Sequence, residues 1–243
     1  MSSVLIIGAK SDIAKELAKV YAKNGFDLIL VGREIDELEN FKKDLELRYQ
    51  KQVVLKDFDI VDFKSHKAFF DNLEIKPAGV IVVAGYMTEQ KVCQDNWEKS
   101  LQTINVNFTG AVGILNIFAS YFEEQKSGFI IGVSSVAGDR GRKTNYIYGS
   151  SKAGFSAYLS GLRNRLYDSN VSVLTVKPGF VDTKMTAHLE LPPKLTATPQ
   201  DVAQDIFNAQ QKGKDILYTK RVWQIIMLVI KHIPEFIFKR LSI

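Results

Sequence analysis

A single cysteine, Cys93, stands in the whole chain. One thiol cannot close an internal disulfide, and a chain without disulfides suits a reducing compartment; a cytoplasmic location is the expectation. No apolar run approaches the ~20 residues that a spanning helix requires. The opening Met1-Ser2-Ser3-Val4 has no basic flank, so no signal peptide is expected. An excess of one charge is also missing. The 32 basic and 27 acidic residues give a formal charge of +5 and are mixed along the chain, apart from the C-terminus. Such a mixture describes a solvated surface, and no nucleic-acid partner is expected. Low complexity, linkers and repeats are absent, and no metal site is expected. The most telling shortage is of glycine in one loop: a dinucleotide-binding turn normally has three, and "GAKSDIA" after the first apolar run has one.

What is present is a regular alternation. The 243 residues, 46% of them hydrophobic, suit one globular domain. Short apolar runs at Val4–Ile7, Leu28–Val31, Val53–Leu55, Val80–Val83, Phe129–Val133, Val171–Val176 and Ile216–Tyr218 predict buried strands. Between them, helical spacing covers Ile13 to Tyr21, Glu34–Gln50, Asp62–Leu73, a long stretch from Trp97 to Phe122, Tyr146–Tyr167 and Pro199–Gln211. This order predicts an α/β fold: a single-domain, Rossmann-like, doubly wound parallel sheet with helices on both faces, over residues 1–219. Residues 220–243 form an apolar, basic helical tail. In such sheets ligands lie beyond the C-terminal ends of the strands, so the residues just after each apolar run carry the functional argument.

The first of these loops spaces Gly8, Asp12 and Ala14 as Gly-x3-Gly-x-Gly with two substitutions. The first position permits the tight turn, the second lets the backbone approach a pyrophosphate, and the third lets the helix pack on the strand. Ala14 intrudes by one methyl. Asp12 tolerates left-handed geometry, but its charge must point away from phosphate or cap the helix. Lys10 and Ser11 can face phosphate oxygens. The second strand ends in Gly32-Arg33. An acidic residue there would take the 2'-hydroxyl of NAD; a guanidinium suits a 2'-phosphate, which points to NADP(H).

Around the fifth strand the chain reads "IIGVSSVAGDRGRKTNYIYGSSKAG". Tyr148 and Lys152 are four apart and share a helix face. Ser135 ends a strand thirteen residues before Tyr148, and Asn107 lies twenty-eight before Ser135 in "NVNFTG". A polar Asn among apolar helix residues asks for a buried partner. Tyr146 competes for the catalytic position, but the residue four along is Ser150.

Taken in order, these motifs resemble those of the short-chain dehydrogenase/reductase family, from Val4 to about Tyr218. The resemblance implies catalytic roles for Asn107, Ser135, Tyr148 and Lys152. It implies nucleotide contacts at Gly8, Lys10, Ser11, Asp12, Ile13, Arg33, Asp59 in "DIVD", Ala84 and Gly85. The same set includes Tyr148, Lys152, and Pro178, Gly179, Val181 and Thr183 in "PGFVDT". The family's Asn-Asn-Ala-Gly is Val82-Val83-Ala84-Gly85 here, a departure that bears on packing. The implied chemistry is hydride transfer between nicotinamide and a carbonyl carbon. Tyr148 serves as proton donor, with its ionisation eased by Lys152; Ser135 holds the substrate oxygen, and Asn107 a water linking Lys152 to solvent. With NADPH, reduction of a ketone is the expected direction.

The substrate region is the loop Thr183–Thr198, with Met185, Leu189, Leu191 and Leu195. The loop motif, "PGFVDTKM" and the C-terminal "RVWQIIMLVIKHIPEFIFKRL" are similar to reductases of a 2-keto pentose on polyprenyl phosphate. A small-molecule or a lipid-linked carbonyl substrate both fit that similarity. Val222–Ile230 contains one polar residue, Gln224, and is expected to be covered all round. Around Pro234 the pattern changes: Ile233, Phe236, Ile237 and Leu241 can share one face, and Lys220, Arg221, Lys231, Lys239 and Arg240 give the segment a basic rim opposed mainly by Glu235. The tail either packs on its own domain or a second subunit, or contacts an anionic membrane surface. Family counterparts of the helices Asn107–Phe122 and Phe155–Leu166 form a dimer interface, so a homodimer or homotetramer is expected. The rival readings are a non-catalytic NADP(H)-binding sensor or scaffold and a nucleotide-sugar epimerase or dehydratase. The first is opposed by the presence of Tyr148 and Lys152, the second by the short chain.

Overall fold

The computed structural model describes residues 2–187 and 189–241. Met1, His188 in the Thr183–Thr198 loop, and the last two residues of the tail lie outside the described residues. The strands are β1 (Ser3–Ile7), β2 (Asp27–Gly32), β3 (Val53–Asp57), β4 (Gly79–Val82), β5 (Gly128–Val133), β6 (Val171–Pro178), β7 (Phe180–Val181), β8 (Thr196–Ala197) and β9 (Ile216–Thr219). Seven of them form one sheet in the order β3-β2-β1-β4-β5-β6-β9, with every pair parallel. The helices are α1 (Asp12–Lys23), α2 (Glu39–Tyr49), α3 (His66–Asp71), α4 (Gln90–Asp95), α5 (Trp97–Ile104), α6 (Gly110–Gln125), α7 (Tyr146–Arg165), α8 (Pro199–Gln211), α9 (Val222–His232) and α10 (Glu235–Phe238).

Both faces of the sheet are buried, which is why its strands read as unbroken apolar runs. Along β1 every residue is buried, and the side chains alternate between two cores. Val4 and Ile6 join Leu17 of α1, Leu45 of α2 and Val202 and Ile206 of α8. Leu5 and Ile7 join Ile114 and Phe118 of α6 and Phe155 and Leu159 of α7. The strand order reverses beside β1, so the ends of β1 and β4 open a crevice where ligands bind in folds of this type.

Several elements depart from the expected bounds. The Asp62–Leu73 helix shrinks to α3, because Asp62 N–H bonds Asp59 O and Ser65 N–H bonds Asp62 O in two preceding turns. Glu34 adopts a left-handed conformation and starts a 3-10 turn, so α2 begins only at Glu39. The long helix from Trp97 is broken by a π-helical turn over Asn105–Thr109, which separates α5 from α6. A short helix, α4, precedes it unforeseen.

The tail corrects the expectation of all-round cover. Trp223 and Met227 of α9 are buried against Val136. On the other side Ile225, Leu228 and Val229 are 60–65% exposed. Arg140 fastens the end of α9. Its guanidinium donates to Lys231 O at 2.9 Å and Ile233 O at 3.0 Å, pairs with Glu235 at 2.6 Å and lies 4.0 Å over the Phe238 ring. Satisfying the last carbonyls of a helix with a cation also suits its dipole. Among the described residues, no helix is long and apolar enough to cross a membrane.

Candidate active site

The crevice has two connected hollows. The first is lined by Gly8, Lys10 and Ser11 after β1, Gly32 and Arg33 after β2, Asp59 after β3, and Ala84 and Gly85 after β4. Its shape depends on Gly8, which has φ +89°. A Cβ there would also sit 2.6 Å from Ala84 N, so the loops after β1 and β4 touch backbone to backbone. Ser11 caps α1, its Oγ accepting from Ala14 N at 3.2 Å. A capped helix start with free amides beside a glycine turn is a ready anion site.

The cations of this hollow have internal partners. Lys10 bonds Glu34 at 3.1 Å and Glu37 at 3.2 Å, and Arg33 is two-thirds exposed, 4.0 Å from Asp59. Asp12 is the first residue of α1 and borders the second hollow beside Lys10 and Ser11. Its Oδ2 accepts from Lys184 N at 2.8 Å, tying the nucleotide loop to the loop after β6.

The second hollow, about 380 Å³, adjoins the first and is lined by Ser135, Tyr148 and Lys152. Ile13, Pro178, Gly179, Val181 and Thr183 also border it, as do Met185 and Leu189. The wall is built from β5 and α7. Ser134 Oγ donates to Lys152 O at 2.9 Å and meets Ser156 Oγ at 2.8 Å, which pins α7 to the end of β5. Ser135 follows in extended conformation and accepts from Ala137 N. Its hydroxyl lies on the same wall as Tyr148 and favours the ionised phenol. Burial pushes the Tyr148 phenol up to about 12, with the neighbouring Ser135 hydroxyl working against it. Lys152 is buried, donates to Val133 O at 3.0 Å, and is pushed down to about 8 by burial. Its Nζ lies 5.9 Å from the Tyr148 ring centre. Tyr146, the competitor, faces elsewhere and accepts from Gln94 at 2.6 Å.

Asn107 lies in the π-helical turn, a device that often re-aims a side chain at functional sites. Its Oδ1 accepts from Tyr86 N at 2.8 Å, and its Nδ2 donates to Tyr86 O at 2.8 Å and Ser151 Oγ at 3.2 Å. Both amide protons are thereby committed, bracing the turn after β4 against α7. Gly85 lies beside this brace: a Cβ there would be 3.5 Å from Asn107 Oδ1 and 3.8 Å from Lys152 Nζ.

Among the lining residues that escape sequence reasoning are Met87, Arg142, Asn145 and Trp223. Arg142 and Asn145 stand between Ser135 and Tyr148, and that position was the available signal. Trp223 comes from the tail and has no local signal. Its ring lies where a Cβ on Gly179 would be, at 2.0 Å, so Gly179 is the only residue type that admits it.

The comparisons agree with this architecture. The family model for short chain dehydrogenase matches residues 2–193. An uncharacterized oxidoreductase of Mycobacterium tuberculosis is 30% identical over 241 residues, covering 98% of this chain and 96% of that protein. An uncharacterized oxidoreductase of Streptomyces coelicolor is 30% identical over 246 residues, covering 99% and 96%. The chain belongs to the short-chain dehydrogenase family, and it is an oxidoreductase. Its fold is similar to that of a solved 7beta-hydroxysteroid dehydrogenase, with TM-score 0.87, 21% identity and coverage of 99% and 96%. It is also similar to a Sphingobium yanoikuyae short-chain dehydrogenase solved in complex with NADPH, with TM-score 0.83, 20% identity and 97% of each chain covered.

Proposed function

We propose that this protein reduces a ketone to a secondary alcohol with NADPH. The observation that carries the reading is the shared wall of Ser135, Tyr148 and Lys152, continuous with the Gly8–Ser11 cradle. The cradle fits a dinucleotide: Gly8 holds a left-handed turn and Ser11 caps a helix start. Lys10, Ser11 and Arg33 would hold its phosphates. Bound there, the nucleotide supplies hydride to the carbonyl carbon. The protein supplies the rest. A phenol held protonated far above neutral pH is a proton donor for the substrate oxygen, and the Ser135 hydroxyl fixes that oxygen and its developing charge. Lys152, charged below about 8, is close enough to ease the loss of the Tyr148 proton.

The finer reading is a keto sugar carried on a lipid phosphate. Ile225, Leu228 and Val229 are exposed on α9, the helix whose Trp223 lines the cavity, and Phe236 and Ile237 are exposed on α10. Lys231, Lys239 and Arg240 are exposed on the same segment. Peripheral contact with an anionic membrane would bring such a substrate to the cavity mouth. A homodimer or homotetramer is part of the same reading.

The test is NADPH oxidation over small ketones, free keto sugars and a keto pentose on polyprenyl phosphate in anionic vesicles. Tyr148→Phe should lower turnover 10²-fold or more while NADPH still binds, since proton transfer contributes ~10²–10⁴-fold. Near-normal turnover in that variant would remove Tyr148 from the chemistry.

A further inference from the structure

Within the segment between Ser135 and Tyr148, the charged side chains Asp139, Arg140 and Arg142 have different fates. Asp139 is fully engaged: its carboxylate takes Lys177 Nζ at 2.5 Å and the Tyr218 hydroxyl at 2.7 Å. Arg140 is engaged by the carbonyls of α9 and by Glu235. Arg142 is not engaged. It lines the substrate hollow, half-buried, and its Nε is buried with no hydrogen-bond partner. Three residues on, Asn145 lines the same hollow, and its Oδ1 is also buried and unpartnered.

Buried polar groups are nearly always satisfied, and a buried charge left unpaired is costly. Burial pushes the Arg142 guanidinium below its ordinary range, and Asp139, committed elsewhere, returns only part of that loss. The phosphates of a nucleotide have their own donors at Lys10, Ser11 and Arg33, in the hollow that Arg142 does not line. The hollow that Arg142 lines also has apolar walls, including Met87, Phe180, Met185 and Trp223. A planar guanidinium in such a setting matches an oxyanion with two parallel hydrogen bonds.

We infer that Arg142, with Asn145, forms an anion subsite of the substrate cavity, so that the ketone taken by Ser135 and Tyr148 carries a carboxylate or phosphoryl group. This inference rests on the reductase reading. Asn145 offers the same ligand its amide NH2 as a donor to the anion or its carbonyl oxygen as an acceptor for a neighbouring hydroxyl, as its rotation dictates.

The test uses the full-length protein and three probes with NADPH: dihydroxyacetone, dihydroxyacetone phosphate, and 1-palmitoyl-dihydroxyacetone phosphate in vesicles. In Arg142→Gln, kcat/KM for the phosphorylated ketones should fall at least tenfold further than for dihydroxyacetone, mainly through KM. Arg142→Lys should recover part of the loss. The better phosphorylated probe distinguishes a free anion from a lipid-borne one. Calorimetric binding of dihydroxyacetone phosphate to the protein, with and without NADP+, reads the subsite apart from turnover. If that binding depends on Arg142 while no ketone is reduced, the subsite stands and the reductase reading falls. If ketones are reduced but Arg142→Gln weakens both kinds equally, or binds the phosphate as wild type does, the subsite is wrong and the reductase reading stands.

Discussion

The two ends of the cleft are held together by different means. On the nucleotide side the contacts are short in sequence or within adjacent strands. Ser11 caps the helix that follows it, and Gly8 N donates to Val31 O at 2.9 Å across β1 and β2. On the substrate side the contacts are distant. Tyr218 reaches Asp139 across 79 residues, Arg140 reaches Glu235 across 95, and Trp223 Nε1 reaches Leu195 O at 3.0 Å across 28. The nucleotide half is therefore a local feature of the Rossmann frame. The substrate half has its catalytic wall from β5 and α7 but takes Trp223 from the tail, so the shape of the cavity depends on how the tail docks.

The most disruptive way to probe this contrast is Trp223→Ala. Trp223 is 5% exposed and shares a cluster with Val136 and Met227. Removing a buried aromatic of this size costs ~3–5 kcal/mol. Thermal melting should show a large loss of stability, and ketone kcat/KM should fall much more than NADPH affinity. Equal losses would mean that the two halves form one cooperative unit. The opposite probe is Arg33→Ala. Arg33 is exposed and its 4.0 Å pair with Asp59 contributes little to stability. A charge-assisted bond to a 2'-phosphate contributes ~1.5–3 kcal/mol, so NADPH should bind roughly tenfold to a hundredfold more weakly. NADH affinity and the melting temperature should stay as they were. A parallel loss for NADH would deny Arg33 its role in selecting the phosphate.

The same contrast explains what could be read from the sequence. The apolar runs announced the sheet because both faces of β1 are covered, leaving no polar position to blur the pattern. Tyr148 and Lys152 were legible because one helix presents both. Asn107 was legible as a buried polar residue, but its π-helical turn was not, since the poor helix formers in "NVNFTG" weaken a helix without specifying which turn replaces it. The Asp62 helix start was misread because an Asp suits a turn and a cap equally, and the turns over Asp59–Ser65 prevailed. Arg142 and Trp223 were hidden for a stronger reason. An arginine in a polar segment looks solvated, and an apolar helix looks uniformly buried, until the docked tail decides which side chains face the cavity.

Asp12 belongs to the nucleotide loop by position and to the substrate side by contact, so it offers the finest cut between the halves. Its carboxylate accepts the Lys184 amide at 2.8 Å and so restrains the segment that carries Met185 and Leu189 along the cavity. A hydrogen bond to a charged group contributes ~1.5–3 kcal/mol when shielded, and less at this exposed site, about 1 kcal/mol. Asp12→Gly should therefore leave NADPH binding intact and raise the ketone KM several-fold. Asp12→Asn keeps an acceptor oxygen in place and should stay within about twofold of wild type, because geometry rather than charge carries the tie. Titrating NADPH by fluorescence and measuring ketone KM for both variants separates the outcomes. If Asp12→Gly weakens NADPH more than it raises KM, Asp12 acts on the nucleotide and the loops are not joined through it. If Asp12→Asn behaves like Asp12→Gly, the carboxylate's charge is what the site requires.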